Sequence, residues 1–323
     1  MSRNMKEVND IQPTSLTHLI GNRGVIEQVR VAIDAAFEDN RRFDHSLLIG
    51  PPGQGKSSLA SVIAQEMAVP FHELLGQNLR TPADLNDLLL QAEDKAIIHI
   101  DEIHEAPKPI ITALYLALDK RTIFAKGSSS VMSIPLNDFT LLCSTTEEHD
   151  LPGPYLTRMR LKLRFDFLSP NELADVVHLR ARSLGWDLEP QVGYEISTRG
   201  RGTPRIALNL LQAAYRVCRS EGQQLITVNH LRRACSLEGI DHLGLGPLEQ
   251  RYLQLLEAGP KRVNVLASEL GVPNKTVTTV WEPFFLRSGL ISKDEQSRRV
   301  LTPQGRQHLS TNAAETDSTS SSE

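Results

Sequence analysis

The sequence predicts an α/β fold: a parallel sheet carrying a phosphate-binding loop, then a small helical domain, then a C-terminal winged helix. Three observations predict it. Ser46 to Ile49 is a short apolar run that passes into Gly50-Pro51-Pro52-Gly53-Gln54-Gly55-Lys56-Ser57 and on into a helical pattern of Leu59, Ile63 and Met67, the strand–loop–helix setting of the G-x-x-x-x-G-K-[ST] motif. Ala96 to Ile100 is a second apolar run and ends in Asp101-Glu102. Leu248 to Leu309 alternates helical patterns with two short strands, the order of a winged helix.

The first two runs define a chemistry. Glycines such as Gly53 and Gly55 let the backbone approach a polyphosphate and turn its N–H groups inward, at the positive end of a helix. Lys56 is then placed to neutralise the β and γ phosphates of ATP. The Ser57 hydroxyl is the natural ligand for Mg²⁺ between the same phosphates. A buried parallel strand delivers its last residues where ligands of open α/β sheets bind. Asp101 is therefore suited to the Mg²⁺ shell, and Glu102 to polarising the attacking water. His104 has no metal-ligand partners at suitable spacing and is expected to be structural or coupling.

Composition bounds the class. The 323 residues, 40% hydrophobic and 23% charged, fit a chain of two or three globular domains. Cys143, Cys218 and Cys235 are widely spaced, which disfavours a disulfide framework or a zinc site. No run of about 18 apolar residues exists and the N-terminal stretch has no leader-like apolar core, so a soluble, cytoplasmic protein without membrane partners is expected. The formal net charge of −4 requires any nucleic-acid contact to come from a local basic patch.

In chain order, Val25, Val29, Ile33 and Ala36 stand at helical spacing ahead of the phosphate-loop strand. Phe71 to Leu75 is a predicted strand, and Thr81-Pro82 opens a helix around Ala83 to Ala92. Residues 122–137 form a predicted hairpin with a glycine and serine turn. Phe139 to Thr146 is a buried strand ending in hydroxyls, followed by Arg158 and an alternating strand of Leu161, Leu163, Phe165 and Phe167.

This order of parts resembles the AAA+ ATPases, and among them the RuvB family of Holliday-junction branch-migration motors, from about Leu16 to Leu309. The narrowest signals are Asp101-Glu102-Ile103-His104, Arg201-Gly202-Thr203-Pro204-Arg205-Ile206-Ala207 and Glu282-Pro283-Phe284. The resemblance implies an AAA+ sheet with a helical lid and a winged helix, and a homo-hexameric ring that moves DNA. Ser58 joins the phosphate site, Thr146 is the sensor at a strand tip, Arg158 the finger reaching a neighbouring subunit's nucleotide, and Arg205 the lid's sensor arginine. Ile11 and Gln12 stand where the family borders the adenine, and Leu168 where it has a tyrosine beside the nucleotide. The family's Arg-Pro is Gln12-Pro13 here, Met159 and Arg160 replace Phe-Gly after the finger, and the hairpin that docks onto RuvA is short and serine-rich. These departures leave phosphate chemistry intact and bear on base affinity and the RuvA partnership. A nucleotide-switched DNA-binding adaptor and a clamp-loader-like ATPase are the alternatives.

Domains are expected at 1–168 (ATPase), 169–240 (lid) and 241–310 (winged helix), with 311–323 disordered. Ser169 to Leu173 carries a helix-start signal, and Gly239 to Pro247 resembles a linker. Asn274 to Leu286 is a predicted helix that Pro283 should kink or end. Lys293, Arg298 and Arg299 are the densest basic cluster of the predicted wing and the candidate phosphate contacts on DNA.

Overall fold

The computed structural model describes residues 7–8, 11–126 and 131–320, and side chains outside 124–131 and 313–320. The chain divides into two compact units, Met1–Gly185 with Gly202–Leu208, and Trp186–Arg201 with Asn209–Glu323.

The first unit contains α1 (Arg23–Glu38), β1 (Ser46–Ile49), α2 (Lys56–Glu66), β2 (Phe71–Leu75), α3 (Pro82–Gln91), β3 (Ile97–Asp101), α4 (Lys108–Lys120), β4 (Thr122–Lys126), β5 (Val131–Pro135), β6 (Thr140–Thr145), α5 (Gly153–Leu156), β7 (Leu161–Arg164) and α6 (Pro170–Leu184). Five strands form one parallel sheet in the order β2-β3-β6-β1-β7. β1 and β6 are buried along their whole length, as expected where helices cover both faces. Alternation divides the core in two: Leu47, Ile49, Ile98, Ile100, Leu141 and Cys143 pack with residues of α3 and α4, while Leu48, Ile97, Leu142 and Leu163 pack with α1 and α2. Val25, Val29, Ile33 and Ala36 are all in the second cluster, which is the stripe their spacing predicts.

Local signals fix the helix starts. Thr81 caps α3 in a reciprocal box with Asp84, and Ser169 caps α6 with Glu172. Buried polar groups in the sheet have partners: His99 lies between Glu73 (3.0 Å) and Ser144 (2.6 Å). The backbone N–H of Leu141 donates to His45 Nδ1 at 2.9 Å. Burial, reinforced by Arg42, Arg160 and Arg121, pushes His45 down to about 3, so its ring stays neutral and accepts. The predicted hairpin is β4 and β5, paired from Thr122↔Pro135 to Lys126↔Val131; its glycine and serine turn lies outside the described residues.

The second unit holds β8 (Asp187–Leu188), α7 (Pro190–Arg199), most of α8 (Pro204–Ser220), β9 (Leu225–Ile226), α9 (Val228–Glu238), α10 (Pro247–Leu255), α11 (Val263–Leu270), α12 (Asn274–Thr276), α13 (Glu282–Arg287), β10 (Ile291–Lys293), β11 (Arg299–Leu301) and α14 (Pro303–Ser320). Pro283 does not end the helical run. A π-turn over Val277–Trp281 joins α12 to α13, with Glu282 N–H bonded to Val277 O, and Pro283 sits in the first turn that follows, where a missing N–H is tolerated.

One expectation is corrected. The glycine-rich stretch from Gly239 is a packed corner rather than a loose linker. Asp241 accepts the N–H groups of Leu243 and Leu245 (2.9 and 2.8 Å), and it faces His308 Nε2 at 3.0 Å and Asn312 Nδ2 at 2.9 Å. Those contacts hold the C-terminal helix across residue 312, and its backbone is helical to Ser320. Residues 321–323 are outside the described part.

Candidate active site

The parallel register brings the chemistry to one edge. Ile49 of β1 pairs with Thr145 of β6, and Ile100 of β3 with Cys143 of β6, so the phosphate loop, Asp101-Glu102 and Thr145-Thr146 all leave the sheet at its C-terminal end. Gly53 has φ +78, and a Cβ there would lie 2.9 Å from Arg205 Cβ and from Thr203 Cγ2. Only glycine lets the loop pass so close to the start of α8. Arg205 N–H donates to Gly53 O at 3.3 Å, which anchors the sensor-arginine candidate to the loop. Gln54, a position the motif leaves free, is buried and donates to Gly202 O at 3.0 Å; nothing in the sequence pattern marks it.

Lys56 opens α2 and is only 5% exposed. Its ammonium donates to Gly50 O (2.8 Å) and Pro51 O (2.9 Å). Burial lowers its pKa, opposed by the charges of Glu102 and Asp101, with Arg205 adding to the lowering. Two cations thus lie close together at the mouth of a loop of backbone amides, a setting for a polyanion.

Ser57 Oγ donates to Asp101 Oδ2 at 3.0 Å, while Asp101 Oδ1 accepts the Glu102 N–H at 3.1 Å. Among the described residues no cluster of three or more His, Cys, Asp or Glu could hold a metal. A hydroxyl beside one carboxylate is nonetheless the hard oxygen set that Mg²⁺ takes when phosphates and water complete its shell. The residues present fit that ion.

Glu102 sits in the left-handed region at φ 49, costly for a non-glycine residue and frequent at functional sites. Its Oε2 accepts Thr146 N–H (3.2 Å) and Thr146 Oγ1 (3.4 Å), and lies 3.3 Å from His104 Nδ1. His104 Nδ1 is also 3.1 Å from Thr145 Oγ1, so the histidine links the acid to the neighbouring strand tip as a coupling residue.

The remaining candidates separate into groups. Ser58 Oγ reaches Gln12 Oε1 at 3.5 Å, beside half-buried Ile11. Leu168 is 6% exposed, packs on Gly21 and donates its N–H to Gly202 O at 2.9 Å. Arg158 is elsewhere: it forms a two-pronged pair with Asp119 of α4, bonds Pro154 O, and lies over the Tyr115 ring at 4.7 Å. None of these partners belongs to the phosphate loop. Asp119 had no sequence signal, being 39 residues from Arg158.

In the winged helix, the three residues of the basic cluster have different partners. Arg299 is 8% exposed and makes two bonds to buried Glu282 (2.7 and 2.9 Å), which also accepts the Tyr252 hydroxyl at 3.1 Å. Its guanidinium is committed to a buried carboxylate. Arg298 is partly exposed but bonds Asp294 at 2.7 Å, and half-exposed Lys293 lies 4.0 Å from Glu282.

Comparison with known proteins extends over the same residues. Family models match in series: the Holliday junction DNA helicase RuvB P-loop domain over 11–165, the RuvB AAA lid domain over 168–241, and the RuvB C-terminal winged helix domain over 242–310. The RuvB branch migration complex subunit of Rubrobacter xylanophilus is 33% identical over 307 residues, covering 93% of this chain and 86% of that relative. That of Mycolicibacterium vanbaalenii is 36% identical over 310 residues, with the same shares of each. The RuvB Holliday junction branch migration motor of Thermotoga maritima superposes with a TM-score of 0.81 at 29% identity, covering 93% of this chain and 98% of the other. With motifs, fold and near full-length similarity in agreement, the chain belongs to the RuvB family.

Proposed function

We infer that this chain is the ATP-hydrolysing motor subunit of a Holliday-junction branch-migration complex in DNA recombination and repair. The observation that carries the reading is the pairing of Ser57 with Asp101 and of Glu102 with Thr146 at one edge of the sheet, in a chain whose family similarity continues through the winged helix.

The loop amides, Lys56 and Arg205 bind the phosphates of ATP. Ser57 and Asp101 would hold Mg²⁺, which would supply neutralisation of phosphate charge when bound. Glu102 polarises the attacking water, and Thr146 fixes the direction in which its carboxylate points. Ile11, Gln12 and Leu168 border the base, and Ser58 supports Gln12. Arg158 acts on the nucleotide of a neighbouring subunit in a homo-hexameric ring, which agrees with its position on α4 and α5 partners rather than on its own loop. The ATPase part comprises 1–168, the lid 169–240 and the winged helix 241–310. A RuvA-type partner docks on the β4–β5 hairpin, where Met132 is 60% exposed. Acting on chromosomal junctions, the ring works in the cytoplasm.

The test is ATP turnover with and without a synthetic four-way junction, alongside strand-exchange assays on the same junction. ATP-dependent migration of the branch point supports the motor. Turnover with no migration in the presence or absence of RuvA would reject it in favour of a nucleotide-switched adaptor.

A further inference from the structure

Two of the narrowest sequence motifs, Arg201 to Ala207 and Glu282 to Phe284, have no assigned task between them beyond Arg205. The structure joins them. Arg201 makes a two-pronged pair with Glu249 (2.6 Å to each oxygen), bonds Gly244 O, and lies over the Phe284 ring at 4.9 Å. Arg287, over the same ring at 5.6 Å, donates to the Arg201 carbonyl at 2.9 Å. Arg201 and Glu249 are both about nine-tenths buried, at 11% and 12% side-chain exposure, so this is a desolvated, planar recognition that lysine could not reproduce.

The next residue belongs to the other compact unit. Gly202 O accepts from Gln54 of the phosphate loop (3.0 Å) and from Leu168 N–H (2.9 Å). Gly202 has φ +73, and a Cβ there would meet Leu168 O at 2.9 Å; Arg201 is itself left-handed at φ 53. Two consecutive peptide units therefore carry a carbonyl bonded by the winged helix on the first and a carbonyl bonded by the phosphate loop on the second. Only the two dihedrals of Gly202 separate these carbonyls, so a change in the loop that reorients Gly202 has a short covalent path to Arg201.

We propose that Arg201 is the positioning residue that couples nucleotide state to DNA engagement, holding the winged helix through Glu249 and Phe284. This rests on the motor reading above. Coupling between two binding sites is reciprocal and measurable as an affinity ratio. The experiment is junction affinity with and without a non-hydrolysable ATP analogue, for the full chain, Arg201→Gln, Phe284→Leu and the double variant.

The unsubstituted chain should show a nucleotide-dependent change in junction affinity. Arg201→Gln should cut that ratio by about fivefold or more, the lower end of typical coupling, with affinity for analogue alone and for junction alone unchanged. Phe284→Leu keeps an apolar side chain in the domain and should move the ratio the same way. The double variant should be no worse than Arg201→Gln, since both act through one contact. A ratio preserved in both single variants would overturn the proposal. So would a fall in both separate affinities together with the melting temperature, which a merely structural arginine would give. Should Arg201→Gln fail to fold, Phe284→Leu decides alone. An unsubstituted chain that binds both ligands without coupling would overturn this inference only, whereas one that binds neither would overturn the motor reading as well.

Discussion

The Glu102 carboxylate oxygen Oε2 accepts both the backbone N–H of Thr146, at 3.2 Å, and its hydroxyl, at 3.4 Å. An acid on one strand tip is thus aimed by the tip of the neighbouring strand. Glu102→Gln should bind ATP normally and lose turnover by about 10²- to 10⁴-fold, the usual contribution of a positioned base. Thr146→Val keeps the N–H and removes only the hydroxyl, so a smaller loss, about tenfold or more, is expected. Lys56→Ala should instead abolish binding, because its ammonium meets ground-state phosphates. Equilibrium binding of a fluorescent ATP analogue beside steady-state turnover separates the three. Wild-type turnover in Glu102→Gln would remove it from the role of base.

Arg158 is held by Asp119 and Tyr115, on the side of α4 and α5. As a finger in trans, Arg158→Ala should bind ATP as before and fail to hydrolyse it in a homogeneous ring, a loss on the order of 10³-fold. Mixing it with Lys56→Ala should restore part of the activity, since each subunit retains what the other lacks. Proven co-assembly with no recovery at any ratio would return Arg158 to a local ion pair.

Stability should carry a signature of His45. Between its folded value of about 3 and the ordinary value of about 6.5, the unfolded chain binds a proton that the folded chain does not. Stability contributed by the neutral ring is therefore full above that upper value and is lost as pH falls through the window, by at most about 1.4 kcal/mol per unit. His45→Asn retains an acceptor for the Leu141 N–H and lacks the titration. Urea midpoints measured across the window should fall less steeply in the variant; equal slopes would assign the acid sensitivity to other groups.

How far the sequence disclosed this protein depends on whether a feature is local. The phosphate loop, the acids after β3 and the caps at Thr81 and Ser169 are short-range patterns, where spacing alone carries the geometry. The inner strands β1, β3 and β6 were legible as apolar runs, because strands covered on both faces show no alternation, and edge strand β7 was legible from its alternation. What was hidden joins distant residues: Gln54 to Gly202, Arg158 to Asp119, Asp241 to His308. The pairing itself has no signal until the fold brings the two residues together. The carboxylate partners of the wing's basic cluster were hidden for the same reason. Charge density in sequence cannot tell a phosphate contact from the partner of a buried acid 17 residues away.

Those partners bear on what DNA binding should look like. Arg298 is tied to Asp294 but partly exposed, and Lys293 is about half exposed, whereas Arg299 is enclosed with Glu282. Each phosphate neutralised contributes about −0.9 to the slope of log K against log salt. Arg298→Ala should therefore flatten the slope for junction DNA by up to about one unit, weaken all sequences alike, and leave the melting temperature nearly unchanged. Arg299→Ala leaves the Glu282 carboxylate buried without its cation, an arrangement that costs about 3 kcal/mol or more. It should lower the melting temperature of the winged helix and spare the salt slope of whatever protein stays folded. Salt titrations of junction binding beside thermal melts distinguish the two. A flattened slope with an intact melting temperature in Arg299→Ala would mean that this arginine leaves Glu282 to meet DNA, and the wing would then present three cations rather than two.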